Sequence, residues 1–126
     1  MGLFIVLLAG MFLMFFITLS PAQHRPEDME IHHKFYQNWQ RPDFRNDKHE
    51  RTNSCCNKRD CEPVEIIYEN GHYYAKLRTA TRPVLIPDNL IEANQPDPRE
   101  SPDGLSHVCW NHTNNMILCA VLGSGE

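Results

Sequence analysis

The stretch Pro63 to Arg78 reads PVEIIYENGHYYAKLR. An Asn-Gly pair favours a two-residue type I′ turn, because both central residues need a positive φ that Gly adopts freely and Asn tolerates. Placing the turn at Asn70-Gly71 fixes the register on either side: Glu69 faces His72, Tyr68 faces Tyr73, Ile67 faces Tyr74, Ile66 faces Ala75, Glu65 faces Lys76 and Val64 faces Leu77. Since side chains alternate along a strand, one face carries Val64, Ile66, Tyr68, Tyr73, Ala75 and Leu77. The other carries Glu65, Glu69, His72 and Lys76 with Ile67 and Tyr74. Turn chemistry, alternation and the opposed Glu65 and Lys76 charges therefore predict the same central β-hairpin.

Downstream, Pro83 to Ile86 predicts a third strand, and Pro87-Asp88 starts a short helical turn through Glu92 that returns Leu90 and Ile91 to the core. Ala93 to Gly104 reads as a long irregular loop ending in a β-turn at Ser101-Pro102-Asp103-Gly104. Ser106 to Leu122 holds two apolar runs. If Thr113-Asn114-Asn115 is a three-residue loop with Asn115 left-handed, a C-terminal hairpin forms with Cys109 opposite Cys119.

Upstream, Pro26 to Gln40 predicts a helix: Pro26 suits the first turn, Glu27 and Asp28 favour the positive helix start, and Met29, His32, Tyr36 and Trp39 form a stripe. The aromatic residues Phe35, Tyr36 and Trp39 read as packing rather than a ligand platform. Pro42 ends the helix, and Asp43 to Asn53 reads as a charged, solvated linker.

The 126-residue chain has a net charge of −4, but Met1 to Ala22 holds no charged side chain. Leu3 to Leu19 is apolar apart from Gly10 and Thr18, and the small residues Ser20 and Ala22 match a signal-peptidase pattern that would release a chain beginning at Gln23. An uncleaved membrane anchor is the alternative, with residues 3–19 as the sole membrane contact. Either form leaves the polar part outside the cytoplasm, periplasmic, secreted or anchored. The organisation is then 1–22 signal peptide or anchor, 23–53 helix and charged linker, and 54–126 a small Cys-containing β-rich domain. An acidic chain without a basic run argues against nucleic acid as a partner.

All five cysteines, Cys55, Cys56, Cys61, Cys109 and Cys119, lie beyond the apolar segment, where export would favour disulfides. Leu, Ile, Val and Phe make up only 18 of the 104 residues from Gln23 onward, too few for a conventional core, and covalent staples compensate. A bridge between the adjacent Cys55 and Cys56 is sterically poor. The preferred arrangement ties the Cys55 to Cys61 loop to the C-terminal hairpin and leaves Cys55 or Cys56 free, capped or linking a dimer, with the full pairing open among 15 patterns.

Seven histidines accompany the cysteines. They suggest an alternative metal (Zn or Cu) or thiol-redox site built from His107, Cys109, Cys55 and Cys56, with His32-His33 and His49 as further imidazoles. No C-x2-C, H-E-x-x-H or C-x-x-C-H spacing is present, and no G-x-S-x-G, S-x-x-K or phosphate-binding glycine loop indicates catalysis. No catalytic residue and no cofactor is therefore assigned.

Trp39-x2-Pro42, Ser54-Cys55-Cys56-x4-Cys61-x-Pro63, the NGHYYA run from Asn70, Ile86-Pro87-Asp88 and Ser101-Pro102-Asp103-Gly104-x2-His107-x-Cys109 together resemble a set of small exported, Cys-containing proteins of alphaproteobacteria and related phage and metagenomic sequences. The resemblance covers Phe35 to Cys119 and implies an exported small domain; it carries no activity, cofactor or catalytic residue. Where such proteins place an aromatic residue after the last Cys, this chain has Ala120.

The expectation is thus an α+β, mainly β domain: N-terminal helix, central hairpin, third strand with short helical turn, and C-terminal hairpin, stapled by cystines. Its expected role is a non-enzymatic binding or structural module of the cell envelope with an envelope or extracellular partner. The face bearing Glu65, His72 and Tyr74 and the Ala93 to Gly104 loop are the candidate contacts.

Overall fold

A computed structural model describes residues 26–55 and 60–124. The apolar segment Leu3 to Leu19, the cleavage position at Ala22, Cys56 and the side chain of Met29 lie outside the described residues. The fold is mainly β. One helix, α1 (Pro26–Gln37), precedes strands β1 (Cys61–Pro63), β2 (Ile66–Glu69), β3 (His72–Ala75) and β4 (Val84–Leu85). Two 3-10 turns (Asp88–Leu90 and Glu92–Asn94) then lead to β5 (His107–Trp110) and β6 (Ile117–Val121). Among the described residues no helix is long and apolar enough to cross a membrane.

The central hairpin forms in the expected register, with Glu69 opposite His72 and Ile66 opposite Ala75. Asn70 and Gly71 take φ of 53° and 81°, as the turn requires. Lys76 Nζ reaches Glu65 Oε1 at 2.8 Å. Strand β4 adds to β3 as the third antiparallel strand. The apolar face is shorter than alternation predicts: Ala75 and Leu77 are buried but Tyr68 is 64% exposed, because the turn end of the ribbon overhangs the core. There Tyr68 and Tyr73 pack on each other with ring centroids 4.7 Å apart.

The C-terminal hairpin is a separate sheet. Cys109 does lie opposite Cys119 and Asn115 has φ of 58°, but the expected three-residue loop is not what joins the strands. The Asn111 amide donates to Met116 O at 2.8 Å, closing a four-residue turn, and a bulge after Cys109 sets Trp110 opposite Ile117. A third strand, β1, joins the other edge of β5, pairing Cys61 with Cys109 and Pro63 with His107. Sequence reading resolved no strand there, since three residues ending in proline carry no period. The architecture is accordingly two three-stranded antiparallel sheets, ordered β1-β5-β6 and β2-β3-β4.

All four residues of β5 are buried because both of its faces are covered. Val108 and Trp110 join Ala75, Leu77, Ile86, Leu90, Ile91, Ile117 and Ala120 in one apolar cluster. On the opposite side, Cys109, Cys119 and Val121 meet Phe35 and Trp39 near the end of α1. Phe35 and Trp39 are thus packing residues, but α1 ends at Gln37 and not at the expected Gln40, so Trp39 reaches the core from the turn just after the helix.

The charged stretch Asp43 to Asn53 departs from expectation. It is not a solvated linker throughout: isolated bridges pair Gln40 with Ser54 and Arg45 with Arg51, folding it back as a narrow loop. The Arg51 side chain is only 6% exposed, against Glu92 at 0%. A charged residue buried against a partner far along the chain leaves no local periodicity to read.

Gly123 seals the far end of β6. A Cβ placed there would lie 2.4 Å from Gly104 O and 3.0 Å from Leu105 C and Ser106 N, all backbone atoms that cannot swing aside. Its amide donates to Ser106 Oγ at 2.8 Å, fixing the loop that leads into β5. Gly123→Ala is expected to cost about 1–3 kcal/mol through overpacking, read as a lower urea midpoint at unchanged slope.

Candidate functional site

On α1, His32 and Tyr36 are four residues apart and so share a face, turned toward β5. On β5, His107 and Cys109 are two apart and share the side facing the helix. Between them stands Asp103, in the loop entering β5 through Gly104 at φ 77°. His32 Nε2 lies 2.5 Å from Asp103 Oδ2, and His107 Nε2 lies 2.7 Å from Asp103 Oδ1. The Tyr36 hydroxyl lies 2.7 Å from His107 Nδ1. His107 is fully buried and His32 is 8% exposed, while the Asp103 side chain is 18% exposed.

A carboxylate only accepts, so in this arrangement His107 carries its proton on Nε2 and its Nδ1 accepts from Tyr36. Asp103 takes two further donors on Oδ1, the Leu105 amide at 3.0 Å and the Ser101 hydroxyl at 3.1 Å. Burial works against the Asp103 charge, but the hydrogen bonds from His107, His32 and the Leu105 amide outweigh it and hold the carboxyl well below the usual range. Burial also dominates at His107, lowering its pKa despite Asp103 beside it, so the imidazole stays neutral. The three residues each offer a donor atom within 4.8 Å of the others, and among the described residues they are the one such group of His, Cys, Asp or Glu side chains.

The cysteines occupy a different role from the one the metal or redox alternative gave them. Cys55 is bridged to Cys119 and Cys61 to Cys109, tying the 55–61 segment to the C-terminal hairpin. Cys55 and Cys109 therefore hold no thiolate and ligate nothing, which corrects their place beside His107 in that alternative. The two bridges use four of the five cysteines; the fifth, Cys56, lies outside the described residues. His107 does sit in a cluster, but with His32 and Asp103. Sequence reading missed this set because His32 and Asp103 are 71 residues apart. The legible traces were the His32-His33 pair and the Asp103-x3-His107 spacing. His33, His49 and His72 are exposed and take no part in it.

The Ala93 to Gly104 loop is tied down. Glu92 anchors its start, accepting from Trp39 Nε1 at 2.6 Å, from Arg51 at 2.7 and 2.8 Å and from the Arg99 amide at 3.1 Å. Asp97 accepts from Arg45 at 2.6 Å and from Arg51 at 3.2 Å; the Arg45 hydrogen bond above all holds its carboxyl well below the ordinary value. Arg99 caps the ring of Phe35 at 4.8 Å and donates to Asn38 O at 2.7 Å. Fixed this way, the loop forms one wall of a cleft of about 630 Å³, with Ala93, Pro98, Arg99 and Ser101 on one side and Val121 and Leu122 on the other. No family model, curated protein or solved structure matches this chain.

Proposed function

We propose that this chain is an exported, non-enzymatic binding module of the cell envelope, delivered by its N-terminal apolar segment and presenting a preformed surface to an envelope or extracellular partner. The observation that carries the reading is the cleft beside the Ala93 to Gly104 loop. Concave surfaces whose walls are held before binding lose little entropy on occupation, and they are the usual place for a ligand. Here one wall is fixed by the Arg51, Glu92 and Asp97 ion pairs and the other by β6, whose Cys119 is bridged to Cys55. Two disulfides suit an oxidising compartment, in keeping with export. They also argue against a thiol-redox role for the four bridged cysteines, since Cys55, Cys109 and Cys119 are at most 1% exposed and buried disulfides exchange slowly for want of access.

The test has two arms. Intact mass under non-reducing conditions, with alkylation, should show a chain beginning at Gln23 with one modifiable thiol. A photo-crosslinking residue at Glu100, on the cleft wall, should give a discrete adduct in cells that carry the protein natively, whereas one at exposed Asp47 should not. Unbridged cysteines in the native chain would remove the exported reading, and no adduct from Glu100 would remove the cleft.

A further inference from the structure

We propose that His32, Asp103 and His107 form a site for one divalent transition cation of the zinc class. This goes beyond the binding reading and does not depend on the cleft. Four features carry it. The donors come from two distant segments, the middle of α1 and the 103–107 segment entering β5, yet all three donor atoms lie within 4.8 Å of one another. Both imidazoles aim Nε2 at the same carboxylate, at 2.5 and 2.7 Å, with their rings edge to face at 4.9 Å, so the donors bound one small volume instead of stringing into a chain. Two imidazoles and one carboxylate suit zinc-class ions and leave a place for a fourth donor, whereas Mg²⁺ and Ca²⁺ favour oxygen ligands alone.

The fourth feature is the support around the donors. Metal-bound imidazoles usually donate their other N–H to an oxygen, which fixes the ring and its tautomer. His107 Nδ1 has the Tyr36 hydroxyl at 2.7 Å, and Asp103 is oriented by the Leu105 amide and the Ser101 hydroxyl. On cation binding both Nε2 atoms give up the protons they direct at Asp103. His107 turns from the Nε2–H to the Nδ1–H tautomer, so that Nδ1 donates to Tyr36 Oη while the Tyr36 proton turns away from the ring, and the His32 Nε2 proton passes to its own Nδ1 or to solvent. The His107 imidazole stays neutral throughout.

The test uses the full exported chain, stripped with chelator, freed of it and titrated with Zn²⁺ by calorimetry and with Co²⁺ by its visible d–d absorption. One saturable Zn²⁺ per chain is expected, together with a Co²⁺ spectrum and a shift of the His107 ring nitrogens by ¹⁵N NMR that marks the tautomer change. His32→Gln and Asp103→Asn, checked for folding by near-ultraviolet circular dichroism and intact disulfides, should abolish the site. Tyr36→Phe should weaken it by about 10–100-fold, and His33→Gln, altering an exposed neighbour, should leave it intact. A wild-type chain with no saturable site, or a site that survives His32→Gln and Asp103→Asn, would show that the cluster is a hydrogen-bonded clamp only and overturn the proposal. That result would leave the cleft reading standing, as it is tested separately by crosslinking from Glu100.

Discussion

Reduction of both disulfides is expected to unfold the domain at neutral pH without denaturant. The two bridges are nested: Cys61–Cys109 closes a separation of 48 residues inside the 64 closed by Cys55–Cys119. With the inner bridge in place, the outer one closes only the six residues from Cys55 to Cys61 and the ten from Cys109 to Cys119, 16 in all. A loop of that size restricts the unfolded chain by about 3 kcal/mol, and a lone loop of 48 or 64 residues by about 4. Losing either bridge from the pair therefore costs about 3 kcal/mol, and losing both about 7.

A small domain holds about 5–15 kcal/mol in all, and this one has a sparse apolar core. The half-cystines also belong to that core, in the cluster with Phe35, Trp39 and Val121, so their loss removes packing as well as constraint. Cys55→Ala/Cys119→Ala and Cys61→Ala/Cys109→Ala, each unfolded in urea, should retain cooperative transitions at lower midpoints. Wild type in reductant should show no cooperative transition and no near-ultraviolet circular dichroism. A reduced chain that keeps a native-like midpoint would mean that the apolar clusters suffice by themselves.

The parts of this fold that could be read in advance are those whose cause is local. Asn70-Gly71 sets its own φ angles and so its own register, and Asn115 takes the expected left-handed turn position in the second hairpin, although a bulge after Cys109 shifts the register there. Leu90 and Ile91, placed by the Pro87 turn, reach the core at 5% and 1% exposure. What escaped reading depends on partners far along the chain. Strand β1 exists because Cys61 lies against Cys109 across 48 residues, and Arg51 is buried because Glu92 waits 41 residues on. The candidate metal site was half legible. His107 stood out by type, but its neighbour by alternation, Cys109, is drawn into a bridge with Cys61, while its actual companion His32 rides on a helix whose docking no periodicity specifies. Residue type pointed to the chemistry, and tertiary packing chose the members.

The same long-range logic makes Arg51→Met the single substitution expected to do most damage. Glu92 is wholly buried and its charge is met by both terminal nitrogens of Arg51, at 2.7 and 2.8 Å, the arginine side chain being 6% exposed. Planar guanidinium and carboxylate match in this two-point geometry, which lysine could not reproduce. Removing the cation leaves an uncompensated buried carboxylate, a loss of about 3–5 kcal/mol. Arg51 also donates to Gln40 O at 3.0 Å and Asp97 O at 3.0 Å, so the narrow 43–53 loop and the cleft wall loosen together. The exposed pair Lys76–Glu65 on the hairpin, with side chains 48% and 66% exposed, is the contrast: Lys76→Met there should cost less than about 1 kcal/mol. A cycle separates charge from shape. Arg51→Met/Glu92→Gln removes the unpaired charge while keeping an amide oxygen for Trp39 Nε1, and should be more stable than Arg51→Met alone although it carries one change more. Urea midpoints at pH 7 for Arg51→Met, Glu92→Gln and the double variant decide it, because a double variant weaker than Arg51→Met would show that Glu92 stabilises the fold through its other hydrogen bonds and not as half of an ion pair.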